Sequence, residues 1–249
     1  MRSLKLTLAY DGTAYAGWQV QPGQPTVQAA LETALERITG RQVRAVASGR
    51  TDAGVHALGQ VVSCAADCRL AVDPLRRALN ANLPPDIRVL RVEDAPEGFH
   101  AIRSAVAKRY RYVLQDGPLP DVFLRHYSWF VPVRLDEQAM HRAARALVGT
   151  HEFSSFQASG GERASSVRTV GELIVRRVGD EPSHKVWVEI EANGFLYHMV
   201  RNIVGSLVEV ARGSRAEDWL AQVLAAQDRR QAGRTAPARG LFLLRVDYP

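Results

Sequence analysis

The sequence predicts an α+β fold made of two ferredoxin-like halves with antiparallel sheets. Strand and helix patterns follow the order strand, helix, strand, strand, helix, strand through about the first hundred residues, which is the ferredoxin-like order. A similar succession of strands and helices begins again at Ser104. No Gly/Ser-rich or Pro-rich spacer separates the two stretches. We therefore expect an N-terminal domain over residues 1–104 and a C-terminal domain over residues 105–249.

Each element of the first half has a local sequence signal. Leu4, Leu6 and Leu8 alternate as in a strand, and a turn-rich loop follows over residues 11–25. Thr26 is a suitable cap for a helix that ends before Gly40, and Asp73 caps a second helix with Pro74 at its first position. Short strands are predicted over residues 43–47, 60–63 and 87–92.

The second half repeats these signals with longer strands. Ser214 and Glu217 have the spacing of a capping box, which predicts a final helix starting just after them. The other predicted strands cover residues 110–114, a short stretch around Trp129, and residues 167–178, 185–192 and 241–246. The other predicted helices cover residues 140–149 and 200–208.

Composition limits the classes of protein to consider. The chain has 249 residues and a net charge of +6, and only three of its 32 basic residues are lysines. Arginine suits phosphates and bases, which favours a nucleic-acid partner, although genome composition or a hot habitat also explains the bias. We find no apolar run long enough to span a membrane and no signal region at the N-terminus, so we expect a cytoplasmic protein.

Neither the cysteines nor the histidines indicate a cofactor. Cys64 and Cys68 lie four apart without partners at zinc-site spacing, and two cysteines are too few for a disulfide framework. The seven histidines are scattered along the chain. We expect no metal, no cofactor and two idle thiols.

The run from Ser48 to Ala57 is the first candidate site. It reads Ser-Gly-Arg-Thr-Asp-Ala-Gly-Val-His-Ala and places Arg50, Asp52 and His56 in a loop of about ten residues. A loop longer than a tight hairpin needs often has a function. The alternative is a plain turn in which Asp52 bonds nearby amides and Gly54 takes a positive φ.

The second candidate is the strand Lys108-Arg109-Tyr110-Arg111-Tyr112, where cations alternate with aromatic residues. Period two places Tyr110 and Tyr112 on one face and the cations Arg109 and Arg111 on the other. One face then suits stacked RNA bases and the other suits phosphates. The alternative is a strand with its tyrosines packed inward and its basic face solvated.

The third candidate is Arg201, which directly follows Val200 on an apolar helix stripe. A partly buried arginine needs a carboxylate partner, and an aspartate paired with it is kept ionised. The alternative is an arginine that reaches the surface of its helix.

Taken together, these stretches resemble the tRNA pseudouridine synthase A family along the whole chain. The Gly-Arg-Thr-Asp-Ala-Gly run at 49–54 is the most specific motif. Glu152, where an aspartate is common, and Ala57 are minor departures. The other matching stretches are Tyr10-Asp11-Gly12-Thr13 with Tyr15, Gly17-Trp18-Gln19, the Lys108 to Tyr112 strand, Phe153-Ser154-Ser155-Phe156, His198 to Gly205, and Gly240-Leu241.

The resemblance implies an isomerase that converts uridine to pseudouridine at positions 38, 39 and 40 of the tRNA anticodon stem-loop. It implies that Asp52 is the catalytic aspartate, that Tyr110 lies against the target base, and that Arg201 is the basic partner of the aspartate. Arg50 resembles the arginine that helps take the base out of the stack. The resemblance also implies a homodimer and a central catalytic cleft between the two halves.

Two other functions fit parts of this pattern. An N-glycosidic hydrolase acting on RNA would release free uracil, but such chemistry normally uses two carboxylates and the motif contains one. A non-catalytic RNA-binding module is the other alternative, although the RNP1 pattern of an RNA recognition motif is absent from the sequence.

Overall fold

A computed structural model describes residues 1–160, 165–179 and 185–249. The chain divides into two compact units. Unit 1 contains Met1–Val106 and Phe242–Pro249, and unit 2 contains Ala107–Leu241. Both units combine helices with antiparallel strands, which confirms the predicted α+β class. Within these described ranges, no helix has both the length and the apolar character needed to cross a membrane.

Unit 1 has the ferredoxin-like order of elements that its sequence predicts. Its elements in chain order are β1 (Arg2–Tyr10), α1 (Val27–Thr39), β2 (Val46–Ala47), β3 (His56–Ala66), α2 (Val72–Asn82) and β4 (Ile87–Asp94). The antiparallel pairs β4 with β1 and β1 with β3 form the body of its sheet.

The last strand of the chain, β10 (Leu241–Asp247), completes this sheet. Phe242 and Leu243 pair in parallel with His56 and Ala57 at the start of β3. β2 pairs antiparallel further along β3, with Val46 opposite Ser63. The predicted division at residues 104 and 105 is close to the boundary of the units, but it grouped this strand with the C-terminal half. Strand pairing places residues 242–249 in unit 1 instead.

The core of unit 1 follows its apolar periodicity. Leu4, Leu6 and Leu8 on β1 are fully buried. Thr26 caps α1 as predicted, since its side chain accepts a hydrogen bond from the Ala29 amide, and Gly40 ends the helix in the left-handed conformation.

The predicted start of the second helix is wrong by two residues. The N-cap of α2 is Ala71, which offers no side-chain cap, and Asp73 lies inside the first turn. Pro74 is tolerated there because amides of the first turn have no partner within the helix.

The elements of unit 2 in chain order are β5 (Ala107–Asp116), β6 (Trp129–Val131), α3 (Glu137–Ala144), β7 (Gly149–Glu152), β8 (Val167–Val178), β9 (Lys185–Ala192), α4 (Met199–Ala211) and α5 (Trp219–Ala226). Its antiparallel strands pair in the order β5, β9, β8, β7, and β6 runs parallel to β5. The bounds of β8 and β9 match the predicted strands, whereas β7 was not predicted.

Two helix ends in unit 2 differ from the sequence prediction. The predicted helix over 140–149 ends at Ala144 and continues as the 3-10 turn Arg145–Leu147. The capping box of Ser214 and Glu217 does not form, because Asp218 occupies the N-cap of α5 and the Glu217 carboxylate binds Arg142 at 2.6 Å and 2.8 Å.

Candidate active site

Asp52 lies in the eight-residue loop between β2 and β3, and it is partly exposed. The Val55 amide donates to the Asp52 carbonyl at 3.1 Å, and Gly54 has a φ of 75°. The turn expected from the sequence is therefore present. A turn of this kind fixes the backbone from which the Asp52 side chain extends.

Hydrogen bonds from the sheet hold the loop in place. The Tyr10 hydroxyl on β1 lies 2.7 Å from the Thr51 hydroxyl, and Gln60 Nε2 donates to the Gly49 carbonyl at 3.0 Å. Ser48 donates to Gln60 Oε1 at 2.8 Å. Burial raises the pKa of Tyr10 to about 12, so its hydroxyl stays protonated at neutral pH.

The glycine-rich loop after β1 holds the other side of the Asp52 loop. The Trp18 amide donates to the Thr51 carbonyl at 3.0 Å. Gly12 packs so closely that a Cβ atom placed there would lie 2.1 Å from the Val55 carbonyl oxygen. The residues on either side of Asp52 are thus fixed by backbone contacts that leave no room for a larger residue at Gly12.

His56 at the end of the loop is buried, and its contacts were not predicted from the sequence. His56 is 1% exposed, and its Nδ1 lies 3.1 Å from both the Gly12 amide and the Asp11 carboxylate. Its ring stacks on Phe242 with centroids 4.7 Å apart. Asp11-Gly12 and His56 belong to two of the stretches that resemble the family, and this was the one sign of a connection between them. Their separation in the sequence gave no indication that they are in contact.

Arg50 is the exposed member of the loop. Its guanidinium has no hydrogen-bond or ion-pair partner among the residues that the structure describes, so its five donors face solvent.

The two tyrosines of β5 have different environments. Tyr112 is fully buried and donates to the Pro237 carbonyl at 2.7 Å, and this burial raises its pKa. Tyr110 is 8% exposed, and its ring meets Phe195 edge-on with centroids 5.0 Å apart. Tyr112 is therefore a packed residue, whereas Phe195 fixes the orientation of the Tyr110 ring.

The basic face of β5 does not offer free cations for phosphates, which corrects that interpretation. Arg109 contacts Glu172 at 2.5 Å and Glu189 at 3.1 Å, and Arg111 donates to Glu189 at 2.7 Å. Arg111 also lies 3.7 Å from the centroid of the Trp187 ring. Burial opposes ionisation of Glu189, but the two arginines outweigh it and keep its pKa below the ordinary value.

Arg201 lies in the first turn of α4 and is partly buried, as predicted. Its Nε donates to the Ala236 carbonyl at 2.8 Å, and the Ala236 amide donates back to the Arg201 carbonyl at 3.1 Å. These two bonds hold both the backbone and the side chain of Arg201 against Ala236. The predicted pairing of Arg201 with a catalytic aspartate stays a prediction.

The four predicted site residues are divided between the two units. Arg50 and Asp52 belong to unit 1, whereas Tyr110 and Arg201 belong to unit 2. In the described part of the chain, no three Asp, Glu, His or Cys side chains cluster as metal ligands.

Comparison with known proteins shows which family the chain resembles. A family model described as tRNA pseudouridine synthase matches residues 7–102 and 143–249, which include Arg50, Asp52 and Arg201, while Tyr110 lies between the two ranges. The tRNA pseudouridine synthase A of Brevibacillus brevis is 47% identical over 248 residues and covers 100% of both chains.

Two further relatives match over the whole length. The tRNA pseudouridine synthase A of Moorella thermoacetica is 47% identical over 250 residues, with 100% of both chains covered. The protein of the same name from Thermoanaerobacter pseudethanolicus is 42% identical over 248 residues, again with 100% of both chains covered. The chain therefore belongs to the tRNA pseudouridine synthase family.

Proposed function

We propose that the protein isomerises uridine to pseudouridine at positions 38, 39 and 40 of the tRNA anticodon stem-loop, with Asp52 as the essential carboxylate. The observation that carries the proposal is the position of Asp52 on a loop fixed by Tyr10, Gln60 and the Gly12 segment. The full-length relatives named tRNA pseudouridine synthase A support the reaction and the substrate class.

The reaction conserves every atom of the substrate. The bond from ribose C1′ to uracil N1 breaks, the base turns while it stays bound, and C5 joins C1′. C5 then loses its proton and N1 gains one. The protein must therefore activate the glycosidic bond, retain the detached base and help remove the C5 proton.

A single ionised carboxylate is sufficient for the first of these tasks. Asp52 serves by attacking the sugar, by attacking the base, or by removing a ribose proton. Each of these routes needs the carboxylate in its charged form. The family resemblance implies that Arg201 is the basic partner of this carboxylate.

Tyr110 retains the uracil during its turn. An aromatic ring held in one orientation by Phe195 is a suitable surface for a flat base. The Tyr110 hydroxyl assists the loss of the C5 proton. Tyr112 has no such role, because its hydroxyl is bound to the Pro237 carbonyl.

Arg50 assists extrusion of the target nucleotide. Taking a base out of a stack costs a few kcal/mol, and the cost is lowest at weakly paired positions. An exposed guanidinium without a protein partner in the described ranges is suited to occupy the space that the base leaves.

Recognition of tRNA depends on shape and phosphate charge. The net charge of +6 favours association with a polyanion, and phosphate contacts position the substrate without reading its sequence. The protein acts as a homodimer in the cytoplasm, as the family resemblance implies.

Tritium release from unmodified tRNA labelled at uracil C5 tests the function. We expect release to match pseudouridine formation, and no free uracil to appear. Free uracil would indicate a glycosidic hydrolase, and tRNA binding without release would indicate a non-catalytic module. Labelled tRNAs that carry uridine at only one of positions 38, 39 and 40 test the assignment of positions.

Two tyrosine variants separate the proposed role of Tyr110 from packing. Tyr110→Phe is expected to slow tritium release while tRNA binding persists, because it removes only the hydroxyl. Tyr112→Phe is the control, since losing its bond to Pro237 is expected to lower the melting temperature rather than the rate of the C5 step. Equal release by Tyr110→Phe and wild type would exclude the hydroxyl from the reaction.

A further inference from the structure

A surface cavity of about 270 Å³ lies in unit 2, and none of the residues assigned to the reaction lines it. Its lining comes from the end of α4, the start of α5 and the segment that follows α5. Arg215, Trp219, Arg230, Arg234 and Glu209 contribute charged and aromatic side chains to it.

Two of these arginines rest on tryptophan rings rather than on carboxylates. The Arg215 guanidinium carbon lies 4.9 Å from the Trp219 ring centroid, and that of Arg234 lies 4.7 Å from the Trp129 ring centroid. Neither has an ion-pair partner in the described ranges of the chain. A guanidinium over a ring face keeps its N–H donors available at its edge. Both groups are therefore oriented without being neutralised.

The remaining charges of the cavity do not cancel these two. Arg230 is held by Asp228 at 2.8 Å, so that pair is neutral overall. Glu209 is the acidic residue in the lining, and it offsets one positive charge. Arg215 and Arg234 against Glu209 leave a net charge of +1 on the cavity, which favours an anionic ligand.

The segment that carries Arg234 is fixed on α4. A Cβ atom at Gly205 would lie 1.7 Å from the Arg234 carbonyl oxygen, and the Gly233 amide donates to the Ser206 hydroxyl at 2.9 Å. The same segment continues to Ala236, which holds Arg201. A ligand bound by Arg234 thus contacts the segment that positions the proposed active-site arginine.

We infer that this cavity is an auxiliary subsite for the phosphodiester backbone of the tRNA substrate. The inference rests on the proposed function, because it takes the polyanion to be tRNA. Phosphate oxygens accept hydrogen bonds from the arginine N–H groups, and such charge-assisted bonds are the strong ones. The cavity is open to solvent, as a continuous strand requires.

Salt-dependent binding of wild type and two variants tests the inference. The variants are Arg215→Gln and the double variant Arg215→Gln with Arg234→Gln. Each lost phosphate contact should reduce the slope of log affinity against log salt by about 0.7 to 0.9. We expect the double variant to bind tRNA about tenfold more weakly at moderate salt, with the loss falling on KM rather than on kcat.

Arg142→Gln is the matched control, because this exposed arginine of unit 2 is already bound by Glu217. It is expected to keep the wild-type slope. Arg215→Lys restores charge without the planar group, so partial recovery of affinity is expected. Melting temperatures close to wild type show that each variant is folded.

Three results would overturn the subsite. The first is an unchanged slope and affinity in the double variant while wild type converts tRNA normally. The second is an equal loss of affinity in Arg142→Gln. The third is saturable binding of inorganic phosphate to wild type that abolishes the difference in tRNA affinity between wild type and the double variant. That result would identify the cavity as a site for a small free anion. If wild type itself forms no pseudouridine, the proposed function fails instead.

Discussion

The Tyr10 hydroxyl and the Thr51 hydroxyl lie 2.7 Å apart in the interior of unit 1. This bond joins the end of β1 to the residue immediately before Asp52. Gln60 on β3 also approaches the Tyr10 oxygen, at 3.4 Å. The buried Tyr10 hydroxyl therefore connects the catalytic loop proposed above to β1 and, through Gln60, to β3.

Removing that hydroxyl should loosen the loop. Tyr10→Phe leaves a buried Thr51 hydroxyl without its partner, at an expected cost of about 1–3 kcal/mol in the free energy of unfolding. We expect a clear fall in kcat with nearly unchanged tRNA affinity, because the loop no longer holds Asp52 in one position. Denaturant unfolding and single-turnover kinetics measure the two effects.

Tyr15→Phe is the control for this experiment, since its hydroxyl binds Asp86 at 2.6 Å instead of the Asp52 loop. It is expected to change stability without the fall in kcat. If both variants keep the wild-type kcat, the bond between Tyr10 and Thr51 does not position Asp52.

A methyl group at Gly12 should disturb the same loop from its other side. The Cβ atom of Gly12→Ala would lie 2.1 Å from the Val55 carbonyl oxygen, and the clash is with backbone. We expect destabilisation of about 1–3 kcal/mol, as for other overpacked sites, together with lost turnover. Gly171→Ala in β8 is the matched control, because no atom lies within 4 Å of its added Cβ. Similar stability and turnover in the two variants would contradict the tight packing described for Gly12.

A buried ion pair in unit 2 links β5 with β8. Arg177 donates to the two carboxylate oxygens of Asp116 at 2.8 Å and 3.0 Å, and the Leu135 amide donates to the same carboxylate at 2.8 Å. Burial alone would raise the pKa of Asp116, but the bonds from Arg177 and Leu135 outweigh it and keep the pKa below the ordinary value.

This ion pair is expected to make the free energy of unfolding fall at acid pH. Because the pKa of Asp116 is lowered in the folded state, its stabilising effect is complete above the ordinary aspartate pKa and is lost as the pH falls through the folded value. Arg177→Met leaves a buried carboxylate without its main partner, at an expected cost of about 3–5 kcal/mol at neutral pH. Adding Asp116→Asn should recover much of this loss and weaken the acid dependence.

Unfolding free energies measured from neutral to acid pH test this expectation. Arg142→Met is the control, since its exposed pair with Glu217 should contribute little to the free energy of unfolding. An Arg177→Met protein as stable as Arg142→Met would show that the buried pair contributes little.

Local sequence signals predicted most elements of the fold, because the start, end and buried face of those elements are determined by residues within or next to them. The alternating apolar residues of β1 and the Thr26 cap of α1 are examples. Where a distant partner competes, the local signal failed. Glu217 has the spacing of a capping residue, but it binds Arg142 on α3 instead.

The candidate site shows the same limit. The loop that contains Asp52 was predicted from its length and its glycine, and the partial burial of Arg201 from the apolar stripe. Arg109 and Arg111 bind carboxylates on β8 and β9. The sequence of β5 does not indicate which residues lie opposite that strand in the sheet. The contact of His56 with Gly12 and Asp11 joins two loops and was missed for the same reason.

The measurement that tests the central claim most directly is tritium release from C5-labelled tRNA by Asp52→Asn beside wild type. The substitution keeps the size of the side chain and removes its charge. We predict that release is abolished while tRNA binding, measured on the same preparation, persists. Release at the wild-type rate by Asp52→Asn would contradict the assignment of Asp52 as the essential carboxylate.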